Sequence, residues 1–114
     1  MSQNMQPDLY SSLYANHKDQ DMVLMGLQID FRIFHSNSLK EKRSVVKSII
    51  ARAQNRYKVS AAEVGKNDML NVASIGFGIV SNNRQSAEKT LKKVCHKIES
   101  NYPIEIIYSD LYEY

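Results

Sequence analysis

The sequence predicts an α+β fold, a four-stranded antiparallel sheet with two helices lying on one of its faces. Three observations carry that reading. Several segments alternate apolar and other residues at period two, two segments repeat apolar residues at helical spacing, and the order along the chain is β-α-β-β-α-β. A length of 114 residues allows one domain, and 43% hydrophobic with 24% charged residues is ordinary for a globular protein.

Residues 1–21 read as a flexible tail, rich in Ser, Asn, Gln and Asp. Within it Leu9, Tyr10, Leu13 and Tyr14 could make one amphipathic turn. Residues 22–114 form the domain. Val23, Met25, Leu27, Ile29, Phe31 and Ile33 alternate through the first strand, so one face is buried and the other is wet or free for a partner. Ser38 with Glu41 matches a capping box, in which the serine oxygen accepts an amide and the carboxylate reaches back to the serine amide. Leu39, Val46, Ile50, Ala53 and Tyr57, widened by Ile49, then predict a helix over 39–57.

Residues 59–65 are a short edge strand, and Lys66-Asn67-Asp68 turns the chain. Residues 70–80 form a strand with Gly76 and Gly78 on one face and Ile75, Phe77 and Ile79 on the other. Ser81-Asn82-Asn83 supplies capping groups for a helix over 83–100, marked by Ala87, Leu91, Val94 and Ile98 and stopped at Pro103. Residues 104–112 close the sheet. Two right-handed crossovers joined by a hairpin give the ferredoxin-like split β-α-β sandwich.

Charge is modest in total and polarised in place. The net charge is +3, but residues 40–58 carry seven basic side chains against Glu41, and residues 83–100 add a further +3. The two helices therefore hold +9 and the rest of the chain −6. Helices on one side of a sheet combine their outer faces, and such a surface attracts a polyanion. Lys40, Arg43 and Lys47 fall on one face of the first helix with Lys42 beside them, and Lys89, Lys93 and Lys97 recur at four-residue spacing on the second.

Other chemistries find little support. One cysteine, Cys95, excludes an internal disulfide, and His17, His35 and His96 stand apart, so no metal site and no cofactor is expected. Cys95 beside Val94 reads as a small hydrophobe. The third-strand stretch Ile75-Gly76-Phe77-Gly78-Ile79 lacks the outward rings of an RNA-recognition motif, and Asp30 replaces a ring on the first strand. Asp30, Glu63 and Asp68 are the acid–base candidates for an enzyme, with Glu63 expected to pair with a helix arginine; no nucleophile or phosphate-loop motif accompanies them, and no enzyme is expected. The uncovered sheet face, carrying Gln28, Asp30, Arg32, Gly76 and Gly78, fits pairing with a second copy. No secretory signal and no apolar run of roughly 20 residues is present, which predicts a cytoplasmic protein.

Ser38-Leu39-Lys40-Glu41-Lys42-Arg43 with Val46-Lys47-Ser48-Ile49, followed in order by Val59-Ser60, Ala62-Glu63-Val64, Ile75-Gly76 and Val80-Ser81-Asn82, resembles the YlxP-like family, domain of unknown function 503. The resemblance spans roughly residues 22–112. Departures are Asn83, where many relatives have aspartate, and a lighter Met69-Leu70-Asn71. It implies a small bacterial ferredoxin-like protein whose genes neighbour those of transcription and translation factors, and hence an association with RNA or the ribosome. The leading expectation is a binding module that docks its basic helical face on structured RNA or a ribosomal subunit. The alternative is a homodimeric interaction or regulatory module acting through the open sheet face.

Overall fold

The computed structural model describes residues 22–35, 37–66 and 69–114. The tail with its Leu9–Tyr14 turn, and Asp68, lie outside the described residues.

β1 (Val23–Ile33) is the centre of the molecule, antiparallel to β3 (Val72–Ser81) on one side and β4 (Ile104–Glu113) on the other. β2 (Ser60–Gly65) pairs outside β3, so the sheet order is β2-β3-β1-β4. Helices α1 (Leu39–Tyr57) and α2 (Arg84–Asn101) connect β1 to β2 and β3 to β4. This is the ferredoxin-like βαββαβ topology. The odd-numbered residues of β1 and Ala73, Ile75 and Phe77 of β3 point into the core, where they meet Val46, Ile49 and Ala53 of α1 and Ala87, Leu91, Val94 and Ile98 of α2. Ile29, Phe31, Ile75 and Leu91 are fully buried, each worth about 1.5–3 kcal/mol by removal from water.

Both helix starts are capped as the sequence predicts. Ser38 Oγ accepts from the Glu41 amide at 3.1 Å, and Asn83 Oδ1 accepts from the Ser86 amide at 2.8 Å. Glu41 Oε1 accepts from the Asn37 amide at 2.6 Å, so the box closes one residue earlier than the motif implies. α1 ends on Lys58, whose left-handed backbone (φ 57°) lets its amide donate to Gln54 O. Strand ends differ slightly from expectation: Leu70 and Asn71 belong to the hairpin loop.

The parity of β2 and β4 is opaque in the sequence because both strands carry a register irregularity. β4 slips between Ile106 and Tyr108, opposite Phe31 and Asp30. The extra residue, Ile107, reverses which alternate positions face the helices. Ile104 and Ile106 lie on the helix side before it, Leu111 after it, and Tyr108, Asp110 and Tyr112 are turned to the open face beside Asp30, Gln28 and Gly26. In β2, Ala61 and Glu63 pair with Phe77 and Ile75 on the helix side, and Ser60 and Ala62 pair with Gly78 and Gly76 on the open side.

Two sequence expectations change here. Lys42 is not a surface cation: it is 1% exposed, on the inner stripe of α1 with Val46, Ile49 and Ala53. Its Nζ donates to Lys66 O and, at 2.8 Å, to Met69 O, and lies 3.6 Å from Glu63 Oε2. The cation beside Glu63 is therefore this lysine and not an arginine. A buried ammonium is tolerated only with such partners, and Lys42 repays its desolvation by tying the β2–β3 loop to α1. Glu63 Oε2 has no hydrogen-bond donor among the described residues, so its compensation is the Lys42 charge alone.

Lys42→Met is expected to cost about 3 kcal/mol in urea unfolding, because it strands the Glu63 carboxylate and two carbonyls. Lys42→Met with Glu63→Leu should recover part of that loss. A single-variant cost below about 1 kcal/mol would contradict the role given to this lysine.

Candidate functional site

The helix side and the open side of the sheet carry different chemistry, and each is built by the alternation of β1. On the helix side, Ser48 Oγ and Tyr102 Oη are 2.7 Å apart, whereas Arg56 and Tyr57 share a concavity with Lys93. The middle of α1 thus meets the end of α2 and the end of α1 meets the middle of α2, so the helices run in opposite directions. Between them lies a cleft of about 190 Å³, with Arg52 and Arg56 on one wall and Lys97 on the other. It continues into a second concavity lined by Arg56, Lys93, His96 and Lys97. Among the described residues no acidic side chain lines either one.

Arg52 is positioned from beneath. Its guanidinium carbon stands 5.6 Å from the centroid of the Tyr102 ring, which the hydrogen bond with Ser48 fixes in turn. A cation over an aromatic face keeps its charge outward while its stem is packed.

The predicted basic residues are divided by this geometry. Lys97 lines the cleft, and Lys93 lines the concavity that continues it. Lys40, Arg43 and Lys47 are exposed on the first half of α1, which runs on past Tyr102. Lys89 lies further out on α2 beside Glu88 and Lys92, whose i,i+4 ion pair (2.8 Å) withdraws one cation from the surface and holds the Glu88 carboxyl below its usual range. Lys42 is inside. Arg52 and Arg56 are the cleft residues that reasoning from sequence passed over; the signal available was an antiparallel pairing of the two helices, which brings late α1 against middle α2.

On the open side, Gln28, Asp30, Arg32, Gly76 and Gly78 share one face as predicted. Arg32 forms an ion pair with Glu105 at 2.8 Å. Asp30 Oδ1 accepts from Ser74 Oγ at 2.5 Å and from Gln28 Nε2 at 3.3 Å. Gly26, Gly76 and Gly78 floor a shallow trough of about 340 Å³ between Val64 and the Tyr112 and Tyr114 rings. Those rings stack with centroids 6.2 Å apart, and Tyr108 Oη donates to Asp110 Oδ2 at 3.2 Å. A Cβ at Gly76 would come 3.1 Å from Val64 Cγ1, so the Val64 side chain packs over the backbone there. The tyrosines were missed as an outward set because the bulge at Ile107 decides their face.

Among the described residues no three His, Cys, Asp or Glu side chains gather as metal ligands, and no helix is long and apolar enough to cross a membrane. Cys95 is half-buried, and burial with the nearby Glu99 pushes its thiol pKa up, away from thiolate chemistry.

Residues 24–111 match the model of a family described as a protein of unknown function (DUF503). The uncharacterized protein YlxP of Bacillus subtilis (strain 168) is 42% identical over 73 residues, which are 64% of this chain and 79% of YlxP. Among solved structures, the intact alpha subunit of aIF2 from Pyrococcus abyssi aligns over 89% of this chain at a TM-score of 0.48 and 11% identity. The Bacillus subtilis YXEP protein, a dinuclear metal binding peptidase of the M20 family, aligns over 82% at 0.47 and 10%. The chain spans 39% of the first of these and 26% of the second.

Tyr112 offers a check on the open face. Interaction with the Tyr108 hydroxyl, then desolvation and the Asp110 charge, push its phenol pKa up to about 12. A spectrophotometric titration should show a tyrosine ionising well above the ordinary value of 10.0, and Tyr108→Phe should bring it down. An unchanged titration curve in that variant would separate the two rings.

Proposed function

The chain belongs to the DUF503 family, and we propose that it is a non-enzymatic module that binds structured RNA, as part of a ribosomal subunit or its precursors, through the cleft between α1 and α2. One observation carries the reading: Arg52, Arg56, Lys93 and Lys97 border a continuous concavity with no carboxylate among the described residues of its lining. A lysine-rich helix kept only for solubility mixes acids with its bases, but α1 has no acid after Glu41.

The chemistry suits a phosphate backbone. Guanidinium forks engage phosphate oxygens in pairs, and ammonium groups opposite add point charges that need no fixed geometry. A-form RNA is recognised by shape and by phosphate and 2′-hydroxyl contacts more than by base edges. Lys40, Arg43 and Lys47 extend the positive surface along α1 and raise the rate of encounter.

The neutral quadruple variant Arg52→Gln, Arg56→Gln, Lys93→Gln, Lys97→Gln should weaken binding to ribosomal RNA at least about tenfold. It should also reduce the slope of log affinity against log salt by about one for each phosphate that the variant no longer engages. The triple variant Lys40→Gln, Arg43→Gln, Lys47→Gln should do less. Co-sedimentation with ribosomal subunits over about 50–300 mM salt reads both effects. Unchanged affinity in the quadruple variant, or a larger loss in the triple one, would overturn the assignment to the cleft.

A further inference from the structure

We infer that the open sheet face is a docking site for an extended, lysine- or arginine-bearing segment of a partner polypeptide, independent of the RNA reading of the helix side. Charge is the first reason. Among the described residues, Arg32 is the sole lysine or arginine at the open-face positions of the four strands, and Glu105 neutralises it. Asp30 and Asp110 have no cation within ion-pair distance among the described residues, which leaves the face at −2.

The second reason is the company those carboxylates keep. Tyr108 is paired with Asp30 across the strands, Asp110 with Gln28 and Tyr112 with Gly26, so carboxylates and tyrosine rings adjoin on neighbouring strands. A cation is attracted by an aromatic face and by a carboxylate together, and the ring also packs against the long stem of a lysine or arginine. Gly26, Gly76 and Gly78 add no side chains to the trough floor; Val64 packs over Gly76 and the Tyr114 ring stands beside Gly26, while among the described residues nothing stands within 4 Å of where a Cβ at Gly78 would be, so the trough is open there. From Gly26 to Asp30 is four residues, about 13 Å along the strand, so a peptide of similar length seated in the trough reaches the carboxylates with its next cation.

The same charges disfavour other occupants. Stacking of single-stranded RNA on Tyr112 and Tyr114 would carry phosphates toward Asp30 and Asp110. Face-to-face pairing of two copies would set two faces of like charge against each other.

The test uses the full chain, isotopically labelled, titrated with a short capped peptide alternating lysine with serine and with its glutamate–serine counterpart. The lysine peptide should shift the amides of Gly26, Gly76, Gly78 and Tyr112 saturably, and the glutamate peptide should not. Asp30→Asn with Asp110→Asn should weaken the lysine peptide about fivefold or more, and the exposed Asp110→Asn alone by a smaller factor if the double variant unfolds. Glu99→Gln on α2 should leave binding unchanged. Equal binding of both peptides, indifference to the aspartate changes, saturable binding of oligouridylate at these amides, or a dimer by light scattering whose interface the peptide does not displace would each overturn the proposal. The helix-cleft quadruple variant should bind the peptide as the native protein does, so the two proposals fail separately.

Discussion

β1 is hydrogen-bonded on both sides, and the rest of the structure follows from that position. A central strand must present one set of alternate residues to each face of the sheet, and two helices cover only one of them. Met25, Leu27, Ile29, Phe31 and Ile33 therefore go into the core, while Gln28, Asp30 and Arg32 are fixed on the uncovered side. A slip of one residue would exchange these sets and bury an aspartate and an arginine, so the register is set by a large free-energy difference.

That constraint also separates the charges. The lysines and arginines of the helices are carried on the covered side, apart from Lys42, which the hairpin carbonyls and Glu63 hold inside. The carboxylates of the strands fall mostly on the other side or its rim. The result is one small domain with a positive side and a negative side, each with its own concavity. Such a molecule is suited to stand between a polyanion and a basic polypeptide, with the sheet as a rigid spacer.

Much of the fold was legible because local chemistry and global topology agree. The alternation of β1, the Ser38 and Asn83 caps and Pro103 each act within a few residues of chain, and they place the elements to within a residue or two. What was not legible depends on interactions made across the chain. Lys42 sits at helical spacing from Val46 and Ile49, and that spacing was a readable sign of burial; its charge drew it to the surface set instead. The outward tyrosines depend on the Ile107 bulge, which no local pattern announces. The cleft depends on the opposite directions of the two helices, so Arg52 and Arg56 became site residues only once α2 was seen beside them.

On the two proposals together, the two sides of the sheet serve different partners. The most direct measurement is an amide chemical-shift map of the labelled full chain titrated with a ribosomal RNA hairpin at moderate salt. The expected result is perturbation centred on Arg52, Arg56, Lys93 and Lys97, with Asp30, Gly76, Gly78 and Asp110 unmoved. Perturbation centred on the open face, with the helix cleft silent, would contradict it.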